Sequence, residues 1–254
     1  MIIRKSSSEI EQMADAGAVV ARTLELLRES IRPGVTTREL DRLADEFIRS
    51  EGGVPTFEGY RGYPASICAS PNDMIVHGIP GDYAVAEGDI LSVDVGVTLG
   101  GFVADSAWTF PVGEISDDAE RLLQTCEAAL FAGIDQARAG NRVGHISAAV
   151  QALVEESGYT VVRALVGHGV GRSMHEEPQI PNFGEPGRGP LLQSGMTLAI
   201  EPMINVGTAD IVIDDDKWSI YTADGSLSAH FEHTVAVTEE GPRVLTLAEA
   251  PLLR

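Results

Sequence analysis

Glu87-Gly88-Asp89-Ile90-Leu91-Ser92-Val93-Asp94 returns, with Gly195 107 residues after Gly88, as Ser194-Gly195-Met196-Thr197-Leu198-Ala199-Ile200-Glu201. In each copy a glycine opens an apolar, strand-like run that ends on a carboxylate six residues later. A second pair of segments repeats at nearly the same distance. Arg32-Pro33-Gly34 leads into a helical pattern that ends at Gly52, and Arg138-Ala139-Gly140 leads, 106 residues on, into one that ends at Gly158. Two independent matches at one long offset point to a duplicated half, because a solenoid would show more and shorter repeats. His77-Gly78-Ile79-Pro80 also resembles His168-Gly169-Val170-Gly171, at a different offset.

Helices flank these strands. Apolar residues at helical spacing mark a first helix from Ser8 to about Leu27, opened by a capping box of Ser8 and Glu11. Thr36 and Glu39 open a second, with Leu40, Leu43, Phe47 and Ile48 on its apolar face. A third starts after Ser116 and carries Leu122, Leu123, Cys126, Leu130 and Ile134; a fourth runs from about Val143 to Ser157. The remainder reads as β-rich segments and loops without a Pro/Ser-rich linker. The expected fold is therefore a single α+β domain with pseudo-twofold symmetry.

Composition narrows the function. A chain of 254 residues with 44% hydrophobic and 22% charged residues can bury roughly three-quarters of its unfolded surface without a disulfide or structural metal. Its two cysteines, Cys68 and Cys126, are far apart and form no CxxC pair, which excludes a disulfide framework and suits a reducing compartment. Met1-Ile2-Ile3-Arg4-Lys5 turns polar with no signal-like apolar region, and no run reaches the ~18 apolar residues of a membrane span. The expected location is the cytoplasm. A net charge of −20 argues against nucleic acid as the main partner, since phosphate binding needs clustered Lys and Arg.

Four carboxylates fall inside β-like apolar segments: Asp94, Asp105, Glu201 and Glu232. One such residue would ordinarily point to the solvent face of a half-buried strand. Here the same-face neighbours are small or apolar: Ser92 and Gly96 beside Asp94, Val103 and Ala107 beside Asp105, Ala199 beside Glu201, Thr234 beside Glu232. Several unpaired buried carboxylates are too costly unless a cation compensates them, and no Lys or Arg alternates with them. Together with His168, between Gly167 and Gly169, they form an oxygen-rich donor set with one imidazole, suited to Mn, Fe(II), Co or Zn. Four negative charges favour two ions over one.

Other chemistries have weaker support. There is no GxSxG nucleophile elbow and no Walker loop. The glycines of Gly167-His168-Gly169-Val170-Gly171 are a weak phosphate signal on their own. Cys68 near His77 admits a thiol nucleophile, but a buried structural cysteine is the commoner case.

The ordered set Asp94, Asp105, His168, Glu201 and Glu232 resembles the metal ligands of the pita-bread metallopeptidases, and within them the type I methionine aminopeptidases. The resemblance is carried further by Tyr60-Arg61-Gly62-Tyr63-Pro64, by Asn72-Asp73-Met74-Ile75-Val76-His77-Gly78-Ile79-Pro80, and by Gly167-His168-Gly169-Val170-Gly171-Arg172. His175-Glu176-Glu177-Pro178 and Ser226-Leu227-Ser228-Ala229-His230-Phe231-Glu232-His233-Thr234 complete it. It implies a pita-bread fold: a curved antiparallel sheet covered by two pairs of helices, in one catalytic domain with halves of about 1–112 and 113–254.

The activity it implies is hydrolytic removal of the initiator methionine ahead of a small second residue. Two divalent ions would acidify a shared water for attack on the peptide carbonyl. Asp94 would chelate one ion, Asp105 and Glu232 would bridge, and His168 and Glu201 would complete the other shell, with Glu201 as proton shuttle. His175 would stabilise the oxyanion, and His77 would hydrogen-bond the backbone of the second residue. Alone, either histidine would read as an ordinary loop residue. Phe57, Tyr60, Tyr63, Cys68, Met174 and Trp218 would form the methionine pocket, although each also suits core packing.

The implied partners are nascent polypeptide N-termini, with transient ribosome contact, no membrane, no sequence-specific nucleic acid and a monomeric state. His145 and His233 receive no role, and His233 should face away from Glu232 on a regular strand. Three positions depart from the usual family pattern: Met174 for an aromatic, His230 for Gln, and Asn182-Phe183 for His-Tyr. Two alternatives stay open, an X-Pro-specific pita-bread peptidase and a non-catalytic binding relative.

Overall fold

The computed structural model describes residues 1–248 and Leu252. Four helices carry the outer layer: α1 Ser7–Ser30, α2 Thr37–Ser50, α3 Asp117–Asp135 and α4 Val143–Glu156. α1 packs on α2, and α3 packs on α4. The strands that bear on the site are β1 Cys68–Pro71, β2 Ile90–Leu99, β3 Phe102–Pro111, β4 Gly167–Gly169, β5 Thr197–Ile200, β6 Met203–Asn205, β7 Ser228–His230 and β8 His233–Val237.

β2 pairs antiparallel with both β1 and β3, and α1 lies across β2 and β3. In the second half β5 pairs with β4 and β8, and β6 pairs with β7, every pair antiparallel. α3 packs against β5, β6 and β7. One apolar cluster runs from Leu24 and Leu27 of α1 through Val93 and Trp108 to Leu130 of α3, Ile200 and Val235. Each fully buried Leu, Val or Ile in it contributes about 1.5–3 kcal/mol. Two pairs of helices over antiparallel strands make the α+β architecture expected from the sequence.

The repeat has a backbone counterpart. Gly88 and Gly195, which open the two related strand segments, have φ of +92° and +93°. Gly34 and Gly140, ahead of α2 and α4, have +90° and +94°, and Gly52 and Gly158, after them, +78° and +83°. Side chains with a Cβ rarely adopt this region, so the glycines recur because the same turns recur.

The first helix starts earlier than expected. Its N-cap is Ser6: the Ser6 hydroxyl accepts from the Glu9 amide, and Glu9 accepts from the Ser6 amide at 2.8 Å. Ser-x-x-Glu fits twice in Ser6-Ser7-Ser8-Glu9-Ile10-Glu11, and local pattern alone cannot choose. Tertiary contacts choose, because Glu9 also accepts from Arg172 at 3.0 Å while Glu11 pairs with Arg243. α1 also runs past Leu27 to Ser30, three residues before Pro33. Thr36 and Ser116 cap α2 and α3 as their sequences indicate.

Candidate active site

Antiparallel register brings the first two acids together. Asp94 of β2 lies opposite Ala107 of β3, and Gly96 lies opposite Asp105. Asp94 and Gly96 are two residues apart, so Asp94 and Asp105 are diagonal neighbours on one face of the sheet. Gly96 leaves that face open to Phe57: a Cβ there would stand 2.7 Å from the Phe57 ring.

The second half contributes its acids differently from expectation. Glu201 and Glu232 do not lie within strands. His233 pairs with Ile200, and His230 pairs with Met203. The ladder is interrupted between them, where Glu201-Pro202 faces Phe231-Glu232. Pro202 has no amide hydrogen to donate, so regular pairing stops there. The break, rather than strand alternation, frees both carboxylates to turn inward. Asn182, almost fully buried, donates to the Glu201 carbonyl at 2.9 Å. His168 sits in β4 opposite Ala199. A Cβ on Gly167 would stand 2.4 Å from the Ala199 carbonyl oxygen, and one on Gly169 2.2 Å from that of Glu177. The Gly-His-Gly string is thus a packing requirement.

The halves are stitched along β3. The Thr234 hydroxyl accepts from the Asp105 amide at 2.9 Å and donates to the Asp105 carbonyl at 2.8 Å. The Glu232 amide donates to the Ala107 carbonyl at 2.8 Å, and Ser106 donates to the Glu232 carbonyl at 2.5 Å. Thr109 accepts from the His230 amide at 2.9 Å and donates to its carbonyl at 2.8 Å.

Every side chain expected to bind metal, substrate or the oxyanion lines one cavity of about 190 Å³. Its polar side holds Asp94, Asp105, Glu201, Glu232 and His168. Ligand atoms of Asp105, His168 and Glu232 lie within 4.8 Å of one another. His168 Nε2 is 3.5 Å from Glu201 Oε1 and 3.8 Å from Asp105 Oδ2. Asp105 is 2% exposed and Glu232 1%. Among the described residues, only histidines come within ion-pair distance of Asp105, Glu201 and Glu232.

Burial pushes Asp94 up to about 7, and burial together with neighbouring carboxylates pushes Asp105, Glu201 and Glu232 well above their ordinary range. Burial pushes His168 down to about 4, with His175 adding to the effect. Asp94 Oδ1, Asp105 Oδ1 and Glu232 Oε1 are buried with no hydrogen-bond partner. Unsatisfied buried acceptors on this scale call for a cation, and a set of carboxylate oxygens and an imidazole fits a borderline divalent ion. His168 Nδ1 lies 2.9 Å from the Gly169 carbonyl, an outer contact that leaves Nε2 to coordinate.

The apolar side is aromatic. Tyr63 meets Trp218 edge-on at 5.1 Å and Phe57 at 6.4 Å between centroids. Cys68 and Met174 are buried in the same cluster. Asp216 accepts from the amides of Trp218 and Ser219 at 2.7 and 2.8 Å, shaping the turn that presents Trp218. His175 packs against His168 with centroids 4.1 Å apart and the rings tilted by 36°, and His77 meets Trp218 at 6.5 Å. Burial holds His77 down at about 4.

The cavity also contains Val76, Leu165, Val166, Met203, Arg61 and His230, none of which the sequence marked as a site residue. The first four are ordinary apolar residues with no signal of their own. His230 had one, its place two residues before Glu232. His233 lies outside the cavity, with Nδ1 2.8 Å from Thr246. His145 accepts from the Arg142 amide in the first turn of α4.

Residues 11–239 match metallopeptidase family M24. The chain is 52% identical to a methionine aminopeptidase of Clostridium perfringens over 97% of this chain and 99% of that one. It is 49% identical to methionine aminopeptidase 1 of Bacillus subtilis, again over 97% and 99%. The crystal structure of methionine aminopeptidase from Rickettsia prowazekii superposes with a TM-score of 0.96 at 40% identity, covering 97% of this chain and 100% of that one.

Proposed function

The chain belongs to metallopeptidase family M24, and on that footing we propose that it hydrolyses the peptide bond after an N-terminal methionine, acting on nascent proteins whose second residue is small. The observation that carries this reading is the convergence of the Asp105, His168 and Glu232 ligand atoms in a cavity whose other wall is aromatic.

In this reading Asp94, Asp105, His168, Glu201 and Glu232 would hold two divalent ions from the Co, Mn, Fe(II) and Zn group, Asp105 and Glu232 serving both. When bound, such ions would supply Lewis-acid chemistry, lowering the pKa of water and polarising the carbonyl. Phe57, Tyr60, Tyr63, Cys68, Met174 and Trp218 take the methionine side chain. The carboxylates alongside favour the cationic amine of a chain end, which selects a terminal residue over an internal one. His77 bonds the backbone of the second residue.

Glu201 accepts a proton from the attacking water at its carboxylate and returns it to the departing amine. His175 donates to the oxyanion. The Tyr60 hydroxyl lies 2.8 Å from His175 Nδ1; as the donor in that contact it would keep the ring proton on Nε2. We read residues 1–254 as one catalytic domain of halves 1–112 and 113–254, working as a cytoplasmic monomer that meets the ribosome transiently. No described helix is long and apolar enough to cross a membrane.

The test is a metal-titrated assay on Met-Ala-Ser against X-Pro peptides. Release of methionine from the first is expected. Cleavage of the X-Pro set alone would move the chain to that specificity, and no cleavage with any of the four ions would mark a non-catalytic relative.

A further inference from the structure

His230 is the one imidazole in the cavity's acidic floor that the ligand set above leaves unused. It ends β7, immediately before the break that frees Glu232. It is 2% exposed, and its Nε2 is buried without a hydrogen-bond partner. That nitrogen lies 3.9 Å from Glu201 Oε2 and 3.9 Å from Glu232 Oε2. Both distances are too long for hydrogen bonds.

They suit two ligands of one ion. Donors held at about 2.0–2.2 Å from a shared cation can be at most about 4.4 Å apart. His168 shows the same pattern, at 3.5 and 3.8 Å from Glu201 and Asp105. Glu201 therefore stands between two imidazoles, with Oε1 toward His168 and Oε2 toward His230. Thr109 grips both the amide and the carbonyl of His230, so the backbone that carries the ring is held on both sides.

Resting on the two-cation reading above, we propose that His230 Nε2 is a further metal ligand, sharing a cation with Glu201. The donor set then carries two imidazoles against four carboxylates. Added nitrogen shifts preference away from Mn and toward Co, Fe(II) and Zn.

The test uses the metal-free full chain, titrated with Co(II) and with Mn(II) by calorimetry while the visible absorption of bound Co(II) is recorded. His230→Gln and His230→Ala are compared with wild type, and circular dichroism monitors the fold. Both variants should lose at least tenfold in affinity for one Co(II) and change its visible bands, while Mn(II) affinity falls less. Co(II) affinity and bands like wild type in both variants would overturn the proposal. So would loss in His230→Ala alone, because the amide would then be replacing a hydrogen bond and not a ligand.

A readout independent of variants is the proton spectrum of the Co(II)-loaded wild type. Hyperfine-shifted exchangeable N–H signals from two imidazoles are expected, and a signal from one would contradict the proposal. Wild type that binds no Co(II) at all would bring down the cation-site reading itself, an outcome distinct from failure of His230 alone.

Discussion

The Tyr60 hydroxyl stands 2.8 Å from His175 Nδ1, and the two rings stack at 15° with centroids 5.5 Å apart. This contact joins a loop of the first half to the loop after β4. It holds the plane of the imidazole. Burial lowers the proton affinity of His175, with Arg61 adding to it, which favours the neutral ring that the proposed N–H donor role requires.

His175→Ala should therefore lower kcat on Met-Ala-Ser by roughly 10²-fold or more through lost oxyanion stabilisation, with the fold intact. Tyr60→Phe, which keeps the stacking and removes the hydroxyl, should lower kcat about tenfold, the worth of one positioning hydrogen bond. Steady-state kinetics check both. Unchanged kcat in His175→Ala would remove that residue from the reaction.

The loop that carries His175 depends on a buried ion pair. Lys5 Nζ lies 2.5 Å from Glu176 Oε2, with side chains 3% and 8% exposed. The other oxygen of Glu176 accepts from the amides of Arg172 and Ser173. Lys5→Met should destabilise the protein by about 3–5 kcal/mol, because it leaves a buried carboxylate without its cation. Urea unfolding measures this, and a loss below about 1 kcal/mol would show the pair to be dispensable.

Trp218 depends on Asp216 in a comparable way. Asp216→Ala removes the acceptor for two turn amides and for the Ser219 hydroxyl at 2.6 Å. KM for methionyl peptides should rise about fivefold with kcat nearly unchanged, as for lost uniform binding. A fall in kcat with constant KM would place Trp218 in the chemical step instead.

The acid cluster sets a pH dependence. Burial raises Asp94 to about 7, and burial with neighbouring carboxylates raises Asp105, Glu201 and Glu232 well above their ordinary values. A carboxylate raised on folding adds stability that is complete below its unfolded value and is lost as pH rises through the folded one. His77, held down at about 4, works oppositely and costs stability as pH falls below its unfolded value. Such a histidine outside the ligand set is the same with and without metal, so it cancels in the difference. The rise in Tm on adding Mn(II) to the metal-free protein should therefore grow from pH 5 to pH 8. A rise independent of pH would mean that the cation does not displace these protons.

Legibility in the sequence followed how local each cause was. Asp94 and Asp105 lie on regular paired strands, where a period of two predicts a shared face. Gly88 and Gly195 disclosed the repeat because their turns demand positive φ. Glu201 and Glu232 were found as residues, yet their inward turn comes from the interruption at Pro202, which requires knowing which strand lies opposite. The start of α1 was hidden by a serine run offering two equivalent caps, a choice made by Arg172 from distant sequence. His230 went unassigned because only the pairing of β6 with β7 sets it against Glu201.

The central claim is that the four acids and His168 exist to hold a pair of cations. Counting bound Mn(II) or Co(II) per chain, in wild type and in Asp105→Asn, tests it most directly. Two equivalents in wild type, with both weakened in the variant, is the predicted result. Full occupancy of Asp105→Asn, or a wild-type chain that retains no divalent ion, would contradict it.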